Sequence, residues 1–140
     1  MANKPVELQI DGFKPREVAA VTYSFNQSTD MKNQPSGVPL GGKIIVRVKA
    51  EDDGNVELLN WMTDDSLVKK GHIVFMVPSD LNKKMKSIDF EGAYCVNFEE
   101  HWEGKINPND NTIAHWEEIT ISCRKIVNGP VTYENEGWGK

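Results

Sequence analysis

Apolar and polar residues alternate with a period of two along much of this chain, the pattern of strands that bury one face. Between Gly42 and Ala50 the apolar side is Ile44, Val46 and Val48, opposed by Lys43, Arg47 and Lys49, with Ile45 breaking the polar side. From Arg16 to Gln27, Ala19, Val21, Tyr23 and Phe25 fall on one face, with Val18, Ala20, Thr22, Ser24 and Asn26 on the other. Ile73, Phe75 and Val77 alternate with His72, Val74 and Met76, so this strand is apolar twice over and is expected to be covered on both sides. Further strands are predicted at Val6 to Ile10, at Met85 to Glu91 with Ile88 and Phe90 inward, and at Tyr94 to Glu100 with Tyr94, Val96 and Phe98 inward. Two more follow: Glu118 to Val127 with Ile119, Ile121 and Cys123 inward, and a short last strand around Val131 to Tyr133 after a turn at Gly129-Pro130.

One segment changes period. Val56, Leu58, Leu59, Trp61 and Met62 follow helical spacing and stop before Thr63-Asp64-Asp65, while Asp52 and Asp53 are placed to cap the start. Leu59, Trp61 and Met62 are the expected packing residues of a helix of about two to three turns. About eight short strands and a single helix without internal repeats predict a small antiparallel β-barrel or sandwich, with the helix plugging one opening. A barrel of that size is filled by its own side chains, so its interior is core and not a ligand cavity. The whole chain, 1–140, reads as one domain.

Between Tyr23-Ser-Phe-Asn-Gln27 and Gly41-Gly42 lie roughly fifteen residues with Asp30, Lys32, Pro35, Gly37, Val38 and Pro39, whereas hairpin loops usually take about two to five. Ordering such a loop costs about 1–2 kcal/mol per residue with little apolar burial in return. The loop is therefore expected to be held by another molecule. Gly41-Gly42 opens a strand, where a phosphate-binding loop opens a helix, and it lacks the Gly-Lys-Ser/Thr ending; its role is geometric.

A net charge of -5 and a pI near 5.2, with no local Lys/Arg block, argue against nucleic acid. No apolar run approaches a membrane span, and the opening Met-Ala-Asn-Lys-Pro-Val lacks a secretory signal, so no membrane insertion and a cytoplasmic start are expected. Cys95 and Cys123 are too few for a disulfide framework and read as small apolar fillers.

Candidate chemistry is sparse. Glu99-Glu100-His101-Trp102 and His115-Trp116-Glu117-Glu118 bring carboxylates and imidazoles near one another. If the two segments pair, Trp102 faces His115 and His101 faces Trp116, a structural staple that is favoured over a metal or acid/base site because no recognised ligand spacing occurs. A thiol dyad of Cys95 with His101 or His115 is disfavoured by the acidic field of Glu99, Glu100, Glu117 and Glu118. No catalytic residues, metal or cofactor are therefore assigned. Trp102 and Trp116 are the two tryptophans placed to form a carbohydrate- or ligand-binding platform, which stands as the alternative reading.

The order Tyr23-Ser-Phe-Asn-Gln27, Asp30, Pro35, Gly37-Val38, Gly41-Gly42, Ile44-Ile-Val-Arg-Val48, Asp52-Asp53 and a helix closing on Trp61-Met62 resembles the Hcp tube proteins of type VI secretion. It is most similar to the Bacteroidetes form, TssD. Gly71-His-Ile-Val-Phe75, Met85 to Phe90, Ala93-Tyr94 and Ile119-Thr-Ile-Ser122 extend the resemblance over nearly the whole chain, while Gly104 to Ala114 is longer than the family pattern. The resemblance implies a non-enzymatic subunit of stacked hexameric rings inside a contractile sheath, exported with spike, baseplate and effector partners and without a cleaved signal. It makes Gln27, Asp30, Lys32, Pro35, Gly37, Val38, Gly41 and Gly42 the expected contacts between subunits or rings; strand faces that are apolar twice over, notably Val74 and Met76 or Val18 and Ala20, are the expected opposing patch.

Overall fold

The computed structural model describes residues 5–37, 40–50, 53–102 and 115–135. Seven strands are formed among them: β1 (Val6–Ile10), β2 (Arg16–Tyr23), β3 (Lys43–Lys49), β4 (Lys69–Val77), β5 (Asp80–Trp102), β6 (His115–Asn128) and β7 (Val131–Glu134). One helix, α1 (Glu57–Thr63), lies between β3 and β4. The sheet runs in the order β3, β2, β1, β4, β5, β6, β7, and β3 also pairs with β6 from Lys43↔Ser122 to Lys49↔Trp116. That extra ladder closes the sheet on itself, and all pairings are antiparallel. The expected strands Met85 to Glu91 and Tyr94 to Glu100 are two halves of the 23-residue β5.

The core fills the closed sheet. Ile44, Val46, Val48, Ile73, Ile88, Ala93, Ile119, Ile121 and Cys123 have no exposed surface, and Leu8, Phe90 and Ile126 have almost none. From α1, Leu58 and Trp61 join the same cluster, with Met62 packed at its margin, while Leu59 stays exposed. Trp61 also donates Nε1–H to Leu67 O at 3.0 Å and meets Phe13 edge-on at 6.1 Å. The capping differs from expectation: Asp53 accepts from Asn55 N and pairs with Lys14, and the first helical amide, Glu57 N, donates to Asn55 Oδ1. Asp52 lies outside the described residues.

Face assignments fail where a bulge intervenes, because one inserted residue exchanges the two sides of a strand. In β2 the register shifts between Val18 and Ala20, so Arg16 and Val18 point inward, Ala19 and Ala20 are exposed, and Val21 and Tyr23 turn in again. In β5, Ala93 and Cys95 are the buried residues, not Tyr94 and Val96. The side switches around Gly92, whose φ is +60°, and again at the shift between Cys95 and Asn97, which returns Phe98 to the core. In β4 only Ile73 is fully buried, and Val74 and Met76 are half-buried. A single closed sheet has one interior, so a strand apolar on both faces still leaves one of them outside.

At one end of the ring a buried ion pair links three strands. Arg16 Nη2 lies 2.7 Å from Glu117 Oε1 and donates to Lys49 O at 2.8 Å, joining β2, β6 and β3. Both side chains are at least nine-tenths buried. Arg16→Ala is expected to cost about 3–5 kcal/mol by leaving Glu117 buried without its cation. Arg16→Met combined with Glu117→Leu should recover most of that loss. Urea unfolding checks both, and a single-variant loss below about 1 kcal/mol would contradict the structural weight given to the pair.

Candidate functional site

The long connection between β2 and β3 is an arm that stands off the sheet. Asn26 and Leu40 exchange backbone hydrogen bonds at its root, Asn26 N to Leu40 O at 2.9 Å and Leu40 N to Asn26 O at 2.6 Å. Farther out Ser36 N donates to Ser28 O, Thr29 bridges Pro35, and Gln27 Nε2 donates to Gly37 O. Asp30 organises the tip: its Oδ1 accepts from Lys32 N at 2.8 Å and Gln34 N at 3.0 Å, and its carbonyl accepts from Asn33 N. Asn33 takes the left-handed conformation that the turn requires, with φ 64°. This local network orders the arm without burying it. Residues 24–37 are exposed throughout, and Met31 at the tip is fully exposed. Val38 and Pro39 lie outside the described residues.

The two glycines at the arm's return have separate reasons. A methyl group on Gly41 would overlap the Phe25 ring, and Gly42 has φ +98° with space for a Cβ only 2.7 Å from Cys123 O. Gly42 O in turn accepts from Cys123 N at 2.7 Å, which starts the closing ladder between β3 and β6. Gly37 is unconstrained, since a Cβ there meets only Ser28 at ordinary contact distance.

At the far end of β5 and β6 the expected register holds. His101 pairs with Trp116 and stacks on it at 5.1 Å, and Trp102 pairs with His115 at 4.3 Å between ring centres. Arg47 sits over Trp116 at 5.3 Å and pairs with Glu118 at 3.3 Å. Alternation places Glu99, His101, Trp116 and Glu118 on one face, and Glu100, Trp102, His115 and Glu117 on the other. The two tryptophans therefore do not share a platform, and His101 cannot meet His115 and Glu117. Each histidine has its own carboxylate, His101 with Glu99 and His115 with Glu100, both at 3.0 Å. His72 Nε2 lies 2.6 Å from Gln9 Oε1, a tie between β4 and β1. No group of three metal-ligating side chains occurs among the described residues. The segment 104–114 is outside them, as are Glu136 and Trp138.

Both thiols are held protonated. Burial pushes Cys95 up to about 11 and Cys123 up to about 12, the opposite of what a nucleophile needs. Sequence reasoning turned Tyr94 and Val96 inward where Ala93 and Cys95 are buried, and it had no signal for the Arg16–Glu117 pair, because a charged residue opening a strand ordinarily faces water.

Comparison with known proteins adds to this geometry. The family model "Hemolysin coregulated protein Hcp (TssD)" matches residues 2–138. Among solved structures, the chain is similar to Hcp1 from Flavobacterium johnsoniae, at 32% identity and a TM-score of 0.79, covering 93% of this chain and 98% of that one. It shares its fold with the Hcp1 protein of E. coli EAEC 042 at 12% identity and TM-score 0.69, over 94% and 98% of the two chains. It also resembles a chain from the sheath–tube complex of an extracellular contractile injection system, at 16% identity and TM-score 0.51, covering 90% and 88%. No match is found among curated proteins.

A thiol whose pKa is raised by folding stabilises the native state below its unfolded pKa, near 9.0 here, and loses that contribution as pH rises through the folded value. Stability is expected to fall from pH 9 toward 11 and above, more steeply in the natural chain than in a Cys95→Ala, Cys123→Ala variant. Denaturant titrations across that range check it. Identical slopes in the two proteins would contradict the burial of the thiols.

Proposed function

The chain belongs to the hemolysin coregulated protein family, Hcp (TssD), and is a tube subunit of a type VI secretion system; from this premise we propose that its arm is the surface through which successive rings of copies meet. Proteins of this family form the rings of the tube. A ring closes only through two different complementary patches on each subunit, and stacking repeats such a head-to-tail contact along an axis. We assign six subunits to each ring.

The observation that carries the proposal is an arm whose outer part is ordered by its own backbone with the Asp30 and Gln27 side chains, with no burial to offset the lost chain entropy. Ordering the contact segment beforehand reduces what association must supply. Met31 and the Lys32 side chain are offered outward, while Gln27, Asp30, Pro35 and Gly37 shape the bracket and Gly41 and Gly42 seat it on the sheet. Val38 belongs to the same assignment. On the receiving side, the half-buried Val74 and Met76 and the exposed Ala20 are candidates; Val18 is not, since it points into the core.

Sheath, spike and baseplate proteins are the further partners we assign, with effectors carried in the lumen, and the chain leaves the cytoplasm through the apparatus. Its action is mechanical and involves no bond made or broken. Protonated thiols and histidines divided between two faces support that reading. The carbohydrate-binding alternative loses its basis, because Trp102 and Trp116 point to opposite faces.

Deleting residues 30–39 is expected to leave a folded subunit that forms rings and no tubes. Native mass spectrometry reads the rings and electron microscopy the tubes. Tubes of ordinary length from the deletion variant would overturn the arm assignment, and a purely monomeric natural chain at high concentration would overturn the ring.

A further inference from the structure

β7 lies beside the root of the arm. β6 carries β3 on one stretch of its edge, ending at Lys43↔Ser122, and β7 on the next, beginning at Lys125↔Glu134. Asn135 N donates to Arg124 O, so the end of β7 and the start of β3 meet end to end along β6. At that junction Tyr133 turns its ring against Phe25, 5.0 Å between centres and 65° between planes, and its hydroxyl oxygen accepts from Gly41 N at 3.1 Å. Phe25 lies edge-on to Tyr23 at 6.4 Å, and Tyr23 Oη accepts from Asn128 Nδ2 at 2.8 Å.

The two limbs of the arm are thus gripped at one level. Phe25 belongs to the outgoing limb and Gly41 to the returning one; Tyr133 touches both. Gly41 is what lets Phe25 lie close, since any side chain there overlaps the ring. Beyond this level, the hydrogen bonds recorded for residues 26–37 stay within the arm or join it to Leu40. With the limbs exposed and bonded only to each other, the direction in which the tip points is decided at the root.

We infer that Tyr133, with Phe25 and Gly41, is a positioning residue: it fixes the exit direction of the arm and through it the strength of the contact between stacked copies. The inference rests on the stacking role assigned to the arm. A strand of four residues with exposed Val131 and Thr132 contributes little to the core, and its Tyr133 is instead spent on the arm.

Tyr133→Phe removes the acceptor for Gly41 N and keeps the ring; Phe25→Ala removes the ring contact. Amide hydrogen exchange of the non-assembled subunit reads the root directly at Asn26 and Leu40, with Val46 in the core as reference. Losing one such hydrogen bond should speed exchange at the root by about two- to tenfold while Val46 is unchanged. The concentration at which rings stack should rise by a similar factor. A general loss of stability would move Val46 as well and would overturn the positioning role, as would unchanged exchange at Asn26 and Leu40. Faster root exchange with unaltered stacking, in a protein whose 30–39 deletion does abolish tubes, would separate Tyr133 from assembly and overturn the inference. Tubes formed by the deletion variant itself would instead sink the arm assignment on which it stands.

Discussion

Ring closure through the β3–β6 ladder is the constraint on which the rest of this molecule depends. A sheet that pairs its third strand with its sixth has an inside and an outside, and every strand must place its apolar residues on the inside. Not every strand does so with unbroken alternation. Bulges in β2 and in the β4–β5 and β5–β6 ladders change the side on which residues fall, so that Val18 and Val21, or Cys95 and Phe98, face the same core. Closure also sets the demand at Gly42, where β3 begins against Cys123 with a positive φ and no room for a side chain.

The two ends of the closed sheet are finished by different physics. At one end Arg16, Glu117 and the Lys49 carbonyl tie three strands by charge in a buried setting, and the pairs of Trp102 with His115 and His101 with Trp116 extend the β5–β6 hairpin beyond it. At the other, Tyr23, Phe25 and Tyr133 form an aromatic root for the arm. Polar side chains that resemble catalytic groups in the sequence are consumed in these fastenings. What the molecule leaves available is surface: an ordered, exposed arm and half-buried apolar residues on the outer face of β4, as a subunit that acts through contacts with copies of itself requires.

Much of this was legible from residue order. The triplet Ile44, Val46, Val48 and the set Ile119, Ile121, Cys123 declared their inner faces, because neither run crosses a bulge. The cross-strand partners of His101 and Trp102 followed from simple register counting, and the geometric role of Gly41-Gly42 from the presence of two glycines before a strand. The faces of Tyr94 and Val96 did not follow, since a bulge is set by how neighbouring strands coil and leaves no mark in a period-two pattern. Likewise Asp53 looks like a helix cap in sequence, yet Lys14, thirty-nine residues away, and the Asn55 amide hold it.

By itself the sequence determined the class of fold, the segments that become strands, the long connection and the family, all of which rest on local periodicity and the order of short motifs. Only the tertiary structure decided which face of each bulged strand is inner, that Arg16 and Glu117 form one buried pair, and that Tyr133 reaches the arm. The last two depend on residues 101 and 92 positions apart meeting in space. Their meeting is settled by closure of the sheet and by bulge placement, which no single stretch of chain encodes.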